Sequence, residues 1–404
     1  MSSRVLAADL PRHVGARVRV AGWVHRRRRL KSVTFVVVRD RSGLAQVVLQ
    51  GAAPPEETVV EVQATVTANP RAPGGVELTS PVVRTLAEAV QPPPFPLYRP
   101  EVDASLPTIL DHAPVALRHP ALRARFALSA AAVRGFRSTL DRLGFTETHT
   151  PKIVASATES GANVFGIEYF GRRAYLAQSP QFFKQALVGV FERVYEVGPV
   201  FRAEPHDTAR HLAQYTSLDA ELGFIRDHRD VMAVLREVLA GMAAGLVTVP
   251  EEIPEIHFAD ALKLLGAPPD EPDLAPAHER RLSAWARREH GSEFLFVTGY
   301  PMAKRPFYTH PDPARPGYSN SFDLLFRGLE LVTGGQRLHR HADYLAVLGD
   351  DAPAYRDYLA AFAHGMPPHG GFAIGLERWT ARLLGAANVR EATLFPRDLH
   401  RLTP

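Results

Sequence analysis

The sequence predicts an α+β protein with two domains, a small N-terminal β-barrel and a larger domain of mixed helices and strands. Short β-type segments fill roughly the first ninety residues, and prolines are dense over residues 91–120. Beyond that segment, helical and extended patterns alternate. A chain of 404 residues, 46% of them hydrophobic and 22% charged, has enough material for more than one core.

Composition limits the classes of function. The sequence contains no cysteine, which excludes disulfides, thiolate metal sites and a cysteine nucleophile. No apolar run approaches the roughly 20 residues of a membrane span, and no signal-peptide pattern opens the chain, so we expect a cytoplasmic protein without membrane association. The net charge of +4 and the pI of about 9.3 are compatible with a polyanionic partner.

The first 95 residues predict a closed barrel of the OB type, a fold that commonly binds oligonucleotides on one face. The segments are β-branched, alternate apolar with polar residues, and are separated by Gly, Pro and Asp. The five predicted strands are Arg17–Val24, Thr34–Arg39, Gly43–Leu49, Val59–Val66 and Gly75–Thr79.

Two features of the barrel suggest nucleic-acid binding. Phe35 and Gln46 would point outward from neighbouring strands, where the ring could stack on an unpaired base and the amide could bond to its edge. Phe35 could equally belong to the barrel core. A basic run is predicted between the first two strands, although such a run could also be an ordinary solvated loop; it consists of Arg26, Arg27, Arg28 and Arg29.

Residues 96–120 are predicted to form a stiff linker, and residues 121–404 the second domain. That domain begins with a helix over Ala121–Leu143. The strand predicted next, over Gly144–Val154, contains Pro151, which favours a sheet edge and suits a dimer seam. Residues 158–162 form a small-residue loop that could close over a ligand. Residues 247–295 are interpreted as an insertion without obvious chemistry.

A charged hairpin lies near the middle of the second domain. Strands are predicted over Arg193–Phe201 and from Tyr215 to Ile225, with a loop between them. Arginines can hold phosphates, a carboxylate can accept from an adenine amino group, and an aromatic ring can stack on the base, so this hairpin could bind a nucleoside triphosphate. It could also be a solvated surface hairpin. The candidate residues are Arg202, Glu204, Arg210, His211 and Tyr215.

Other candidate site residues are scattered along the chain. Ser179 and Pro180 predict a helix start, and Gln181 and Lys184 share one helix face that could form a small-acid pocket, although a lone lysine there is usually exposed. The remaining candidates are oxygen ligands suited to Mg²⁺ and two arginines beside glycines; they are Asp323, Glu330, Thr333, Arg337 and Arg378.

Three separated stretches resemble the signature motifs of class II aminoacyl-tRNA synthetases. Residues 144–151 resemble motif 1, the Phe201-Arg-Ala-Glu204 hairpin ending in His211 and Tyr215 resembles motif 2, and residues 371–378 resemble motif 3. The predicted barrel indicates the aspartyl, asparaginyl and lysyl subgroup. Residues 178–185, 208–212, 334–341, 365–371 and 389–404 are similar to archaeal-type aspartyl-tRNA synthetases. The resemblance implies a catalytic domain with an antiparallel sheet flanked by helices.

The resemblance also implies roles in ATP binding. Arg202 would hold the α-phosphate, Glu204 the adenine amino group and Tyr215 the adenine face. Arg210 and His211 would lie near the outer phosphates, and Arg378 would lie on the far side of the nucleotide. Mg²⁺, bound together with ATP, would be held by Glu330, Thr333 and in addition Asp323.

For L-aspartate, the resemblance implies that Lys184 and Arg337 pair with the side-chain carboxylate. Its ammonium group would be held by Gln181, Asp219 and the loop at Glu159, with Ser179 in the same pocket. The tRNA anticodon would be contacted by the barrel through His25, Arg26, Arg27, Arg28, Phe35, Gln46 and Pro73.

The implied activity is ATP-dependent attachment of L-aspartate to tRNA through aspartyl-adenylate, with release of pyrophosphate and AMP, by a homodimer joined near Pro151. In this family His25 and Pro73 favour enzymes that charge both tRNA(Asp) and tRNA(Asn). Four alternatives are weighed: an enzyme that charges tRNA(Asp) alone, an asparaginyl-tRNA synthetase, a non-catalytic RNA-binding paralogue, and an asparagine synthetase on the same catalytic domain.

Overall fold

The computed structural model describes residues 3–155, 163–243 and 245–403, and the chain divides into two units between Ala124 and Arg125. In the first unit, five strands close into a barrel in the order β1-β2-β3-β5-β4, with β1 also paired to β4. Their bounds are β1 Arg17–Leu30, β2 Val33–Arg39, β3 Leu44–Gln50, β4 Val59–Ala68 and β5 Val76–Ala87. Alternating valines fill the interior, as period-two patterning requires.

The proline-rich segment of the first unit is folded rather than a bare linker. It contains two short helices, α1 (Leu106–Asp111) and α2 (Ala113–Ala116), and Ser105 caps α1 by accepting from the N–H of Thr108. Phe95, Leu97, Ala116 and Leu122 bury their side chains together in a small core. Proline therefore starts these helices, because its fixed φ suits a first turn.

The basic run lies inside β1 and not in a loop between the first two strands, which corrects the sequence prediction. Residues 26–29 pair with residues 34–37 of β2, and all four arginines are exposed. A bulge between Val24 and Arg26 lies just beyond the end of the pairing between β1 and β4, and from there β1 continues along β2. Val36, directly opposite Arg27, still belongs to the barrel core, whereas the arginines themselves are exposed to solvent.

The second unit is built on an eight-stranded sheet in the order β12-β13-β14-β15-β16-β11-β10-β6. All neighbours are antiparallel except the two edge pairs, β12 with β13 and β10 with β6. The strands are β6 Thr146–Glu147, β10 Arg193–Phe201, β11 Gln214–Gly223, β12 Glu255–His257, β13 Phe294–Thr298, β14 Ser321–Phe326, β15 Leu329–Gln336 and β16 His369–Gly375. The central order brings β15, β16 and β11 side by side.

Helices and a small second sheet complete this unit. The helices are α3 Pro120–Arg142, α4 Gln181–Phe191, α5 His228–Met242, α6 Phe258–Leu265, α7 Pro276–His290, α8 His341–Leu348, α9 Arg356–Ala363 and α10 Leu376–Leu384. The small sheet has the order β7-β9-β8, with β7 Ile153–Val154, β8 Gly166–Tyr169 and β9 Arg172–Leu176. Phe136, Leu235, Phe322, Phe372 and Trp379 belong to the main core.

The single strand predicted over Gly144–Val154 is instead split between two sheets. Thr146–Glu147 forms an edge of the large sheet, and Ile153–Val154 joins the small one. Pro151 lies between them, exposed, where its missing N–H costs no ladder hydrogen bond.

The predicted fold class is confirmed: the chain is α+β, with an OB-type barrel and an antiparallel sheet flanked by helices. Over the described residues, the helices include none with the length and apolarity needed to cross a membrane.

Candidate active site

A cleft of about 340 Å³ opens over strands β11, β15 and β16 of the second unit. The sheet order explains the position of this cleft, because neighbouring strands bring residues that are far apart in sequence onto one surface. All the residues predicted to hold ATP line this cleft, together with two of the three predicted metal ligands: Arg202, Glu204, Arg210, His211, Tyr215, Glu330, Thr333 and Arg378.

One wall of the cleft carries a cation, a carboxylate and an aromatic ring. The guanidinium carbon of Arg202 lies 5.8 Å from the ring centroid of Tyr215, and its Nη1 lies 3.8 Å from Oε1 of Glu204. Glu204 is partly exposed to the cleft and therefore retains acceptor capacity for a ligand. This wall can contact a phosphate and an aromatic base together.

His211 lies in the same cleft, close to Thr208 and Glu204. Its Nδ1 is 2.6 Å from Oγ1 of Thr208, and its Nε2 is 4.0 Å from Oε2 of Glu204. Burial, and then the nearby Arg378 guanidinium, lower the pKa of His211 below its usual range. At neutral pH the ring therefore offers a hydrogen bond without adding charge.

The C-terminal segment fixes the loop that carries these residues. Arg390 reaches Oδ1 of Asp207 at 2.7 Å and donates to the carbonyl of Thr208 at 3.2 Å. The N–H of Ala213 donates to the carbonyl of Arg397 at 2.8 Å. These contacts of the C-terminal segment order the charged loop between β10 and β11.

Glu330 and Thr333 form the candidate metal centre on β15. Thr333 donates from Oγ1 to Oε1 of Glu330 at 3.2 Å. Burial, and then the neighbouring Asp323 carboxylate, raise the pKa of Glu330 to about 7. A divalent cation would reduce the repulsion between the Glu330 and Asp323 carboxylates. Hard oxygen donors suit Mg²⁺, so Glu330 and Thr333 fit that ion when nucleotide phosphates supply further ligands.

Asp323, the third predicted ligand, is engaged elsewhere. Its Oδ2 accepts from Nη2 of Arg305 at 3.1 Å, and both side chains are nearly inaccessible to solvent. The described part of the chain contains no cluster of three His, Asp or Glu side chains arranged to hold a metal ion. The structure thus places Glu330 and Thr333 in the cleft, whereas Asp323, directly opposite Thr333 on β14, is not among the residues that line it.

A buried charge cluster adjoins the cleft floor. Lys184 on α4 is 2% exposed, and its Nζ lies 3.0 Å from Oδ1 of Asp219, 3.1 Å from the carbonyl of Phe372 and 3.3 Å from Oε2 of Glu221. The usual solvent-facing alternative for this lysine is therefore wrong. Ser217, which lines the cleft, donates to Oδ2 of Asp219 at 2.5 Å and links the two sites.

Glu221 joins the two predicted cations. Arg337 donates from Nε to its Oε1 at 3.0 Å and from Nη2 to the carbonyl of Gly371 at 3.1 Å. A side chain at position 371 would collide with this group, because a Cβ there would lie 2.1 Å from Oε2 of Glu221. Sequence reasoning missed Glu221; its position two residues after Asp219 on one strand, hence on the same face, was the available signal.

The other predicted aspartate-binding residues are placed in part. Gln181 is 5% exposed, and its Nε2 has no hydrogen-bond partner among the described residues. Ser179 accepts at Oγ from the N–H of Gln181 at 3.2 Å and thereby orders the start of α4. Glu159 lies outside the described residues.

A polar network backs the charge cluster. His369 is fully buried, with Nε2 3.1 Å from Nε2 of Gln185 and Nδ1 2.9 Å from the carbonyl of Pro367. Tyr358 donates to Oε1 of Gln185 at 2.9 Å. Burial lowers the pKa of His369 to about 4, so a neutral ring lies behind Arg337.

The barrel gathers some, but not all, of the predicted RNA-binding residues on one face. Arg28 is directly opposite Phe35, and Gln46 is directly opposite Val37, so by strand alternation Arg26, Arg28, Phe35 and Gln46 share the outer face. Phe35 is thus excluded from the barrel core. Arg27 points to the opposite face and bonds to the carbonyl of Ala53 at 3.4 Å.

His25 is buried, which a direct contact with RNA would not allow. Its Nδ1 lies 2.8 Å from Nη1 of Arg39, which also pairs with Glu57, and Glu57 accepts from Arg118 at 3.1 Å. Burial, and then Arg39, lower the pKa of His25 to about 4. Pro73 is half-buried at the start of a 3₁₀ turn between β4 and β5. Any effect of His25 on RNA must therefore act through the barrel's shape.

The fold and the cleft together define a class II aminoacyl-tRNA synthetase. Residues 105–399 match the family model described as tRNA synthetases class II (D, K and N), and the chain belongs to this family. Residues 18–86 match the OB-fold nucleic acid binding domain. The predicted family and class of enzyme, an aminoacyl-tRNA ligase, are thereby confirmed.

Relatives that match over their full length are named aspartate--tRNA(Asp/Asn) ligases. The chain is 47% identical to the aspartate--tRNA(Asp/Asn) ligase of Thermus thermophilus, over 99% of this chain and 100% of the relative. It is 46% identical to the enzyme of the same name from Deinococcus radiodurans, over 99% of each chain. Among solved structures, the asparaginyl-tRNA synthetase of Pyrococcus horikoshii with asparaginyl-adenylate superposes with a TM-score of 0.90 at 29% identity, covering all of both chains.

Proposed function

We propose that this protein joins L-aspartate to the 3′ end of tRNA(Asp) and tRNA(Asn), using ATP and releasing pyrophosphate and AMP. The observation that carries the proposal is the continuity of two sites. The cleft with Arg202 and Arg378 is linked through Ser217 and Asp219 to Lys184. A phosphate-binding cleft beside a carboxylate-binding pocket is what adenylation of an acidic amino acid requires.

In the first step, an oxygen of the aspartate α-carboxylate attacks the α-phosphorus of ATP. A new P–O bond forms, the bond from the α-phosphorus to the bridging oxygen breaks, and pyrophosphate leaves with that electron pair. Arg202 and Arg378 lie on the cleft walls, where they would stabilise the charge that develops on the phosphate oxygens. The chain's contribution is orientation and electrostatics rather than a covalent intermediate.

In the second step, the terminal 3′-hydroxyl of the tRNA attacks the carbonyl carbon of aspartyl-adenylate. The ester bond forms, the mixed anhydride bond to phosphate breaks, and AMP leaves; the hydroxyl proton passes to the departing phosphate or to water.

The choice of aspartate over asparagine is attributed to Lys184 and Arg337. Because an asparaginyl-tRNA synthetase superposes with a TM-score of 0.90, the shared fold cannot separate the two substrates. The discrimination between aspartate and asparagine must therefore come from individual side chains in the pocket. Lys184 and Arg337 already pair with Asp219 and Glu221, and both would donate hydrogen bonds to the side-chain carboxylate of aspartate, whereas the amide nitrogen of asparagine cannot accept from either cation.

Mg²⁺ would be held by Glu330 and Thr333 with the nucleotide phosphates, and it would supply Lewis-acid neutralisation of phosphate charge. Asp323 would support this centre from the neighbouring strand β14, where it pairs with Arg305.

Charging of both tRNAs is supported by His25 and Pro73, the residue types that family members with this property tend to carry, and by the names of the full-length relatives. Since His25 is buried, we propose that it acts by setting the conformation of β1 beside the outer face. Aspartyl-tRNA(Asn) would then be amidated by a separate amidotransferase.

Two further properties belong to the same proposal. A homodimer through the motif 1 region is supported by the sheet-edge position of β6 and the exposure of Pro151 and Ile153 nearby. Action in the cytoplasm follows from the proposed partners, which are tRNA and the translation machinery.

The proposal is tested in two assays. ATP–pyrophosphate exchange is measured with aspartate or asparagine as the amino acid; exchange that depends on asparagine alone would contradict the aspartate assignment. Unfractionated tRNA is then charged with labelled aspartate, and the acylated species are sequenced. Acylation of GUC-anticodon tRNA without any GUU-anticodon tRNA would restrict the function to tRNA(Asp).

A further inference from the structure

Helix α7 belongs to the 247–295 segment, for which the sequence predicts no chemistry. It carries one buried carboxylate that contacts residues of the active-site cleft. Glu279 lies in the first turn of α7 and is 3% exposed. The neighbouring ionisable residues of this helix, such as Arg280, Arg281 and Arg288, are largely exposed. A lone buried carboxylate among the exposed charged residues of this helix therefore calls for a specific partner.

Glu279 has two such partners, and both belong to residues that line the cleft. Nη1 of Arg210 lies 3.4 Å from its Oε2 and 3.5 Å from its Oε1. The backbone N–H of Glu330 donates to its Oε2 at 2.8 Å. One carboxylate thus connects the motif 2 loop, which carries Arg210, to the first residues of β15, which carry the candidate metal ligand.

The charge balance supports a functional role. Arg210 and Arg378 both line the cleft, and without counter-charge two guanidinium groups in a confined space repel each other. Glu279 neutralises Arg210 from behind, while Arg210 keeps part of its side chain, 29%, open to solvent. An apolar residue would serve mere packing better, because burying a carboxylate carries a desolvation cost.

We propose that Glu279 is a positioning residue for ATP: it holds the Arg210 guanidinium at the cleft wall and fixes the β15 backbone at Glu330, so that the outer phosphates meet a preformed site. This inference rests on the proposed function of the cleft and deepens it. It assigns a role to the 247–295 segment, which would otherwise only pack on the domain.

The experiment compares Glu279→Gln, which keeps the shape and one acceptor but removes the charge, with the wild-type protein in ATP–pyrophosphate exchange. Loss of one charge-assisted contact should raise the KM for ATP about tenfold, with kcat and the KM for aspartate within about twofold. Glu293→Gln is the matched control. Glu293 follows the same helix and pairs with Arg327 at 2.8 Å, and neither residue lines the cleft. The KM for ATP of the Glu293→Gln variant should therefore equal that of the wild type.

A double-mutant cycle separates positioning from general loss of structure. If Glu279 acts through Arg210, then Glu279→Gln should have little further effect on the KM for ATP in an Arg210→Ala background. Equal effects in both backgrounds, or an unchanged KM for ATP with only a lower Tm, would overturn the proposal. Glu279→Asp retains the charge with a shorter reach and should fall between wild type and Glu279→Gln.

ATP affinity measured by calorimetry without amino acid gives a second readout. A weaker ATP affinity in Glu279→Gln, but not in Glu293→Gln, supports the positioning role even if aspartate does not prove to be the substrate. Unchanged ATP affinity in Glu279→Gln contradicts it, whatever amino acid is activated.

Discussion

Arg337 donates from Nε to Oε1 of Glu221 over 3.0 Å, and the Glu221 side chain is fully buried. With Lys184 on its other oxygen, Glu221 holds both predicted substrate-binding cations before any ligand arrives. The pocket is therefore preorganised, since neither cation has to be ordered at the moment of binding.

Glu221→Gln should destabilise the protein and impair aspartate activation. The amide leaves Arg337 as a poorly compensated buried charge, so we expect the free energy of unfolding to fall by about 3–5 kcal/mol and the kcat/KM for aspartate by about 100-fold or more. Urea unfolding followed by tryptophan fluorescence and ATP–pyrophosphate exchange measure the two effects. Glu237→Gln removes an exposed pair with Arg142 and should cost under about 1 kcal/mol. Similar losses for both variants would contradict the assigned importance of Glu221.

Gly371→Ala should abolish aspartate activation and lower the Tm. A Cβ at this position would lie 2.1 Å from both the carbonyl oxygen of Ala220 and Oε2 of Glu221. Either the pairing of β11 with β16 or the position of Glu221 must therefore change. Gly375→Ala, in the same strand, meets only ordinary contacts beginning at 3.8 Å and should leave the Tm nearly unchanged. Thermal unfolding of the two variants checks this. A Gly371→Ala protein with normal Tm and normal ATP–pyrophosphate exchange would show that β11 and β16 can move apart to accommodate the methyl group.

Stability should fall in mild acid because of His369. Burial lowers the pKa of its imidazole to about 4, whereas in the unfolded chain it titrates near 6.5. The unfolded state therefore binds a proton first, and stability declines as pH falls from about 6.5 towards 4, by up to about 3 kcal/mol. His369→Asn cannot titrate but keeps a donor near the position of Nδ1. Its free energy of unfolding should depend less on pH over this interval; identical slopes for both proteins would refute the assignment.

The two neighbouring arginines of β1 should differ in their effect on tRNA. Arg28 shares the outer face with Phe35, and Arg27 points the other way. Arg28→Ala should weaken tRNA binding and reduce the slope of log K against log salt by about 1, whereas Arg27→Ala should change the slope much less. Binding titrations at several salt concentrations measure this. Equal slopes for both variants would place the RNA elsewhere.

Phe35→Ala should raise the KM for tRNA by about 10- to 100-fold, the loss expected for one stacked base, and leave ATP–pyrophosphate exchange unchanged. Phe35 lies outside the barrel core, so the variant should fold. An unaltered KM for tRNA would exclude Phe35 as a stacking platform.

The sequence was most informative where a function requires residues close together in the chain. The hairpin from Arg202 to Tyr215 and the helix start at Gln181 could be interpreted locally, because strand alternation and helical spacing fix which side chains share a face. The outward position of Phe35 follows from the same alternation.

The remaining features depend on contacts between distant segments, which local patterns do not encode. Glu221 could not be paired with Arg337, 116 residues away, before the sheet order was known. Glu279 reaches the cleft only because α7 packs beside β15. The burial of His25 likewise depends on Arg39 and Glu57, and the run of arginines gave no sign that β1 continues through it, paired with β2.

The sheet order also determines when the protein can begin to work. Glu221 on β11 pairs with Gly371 on β16, 150 residues later, and Arg378 follows only after that strand. A chain emerging from the ribosome therefore has its hairpin and its lysine long before it has the strand that separates β11 from β15. Contacts of such long sequence separation form late and slowly. Prematurely terminated chains that lack β16 should therefore not activate aspartate.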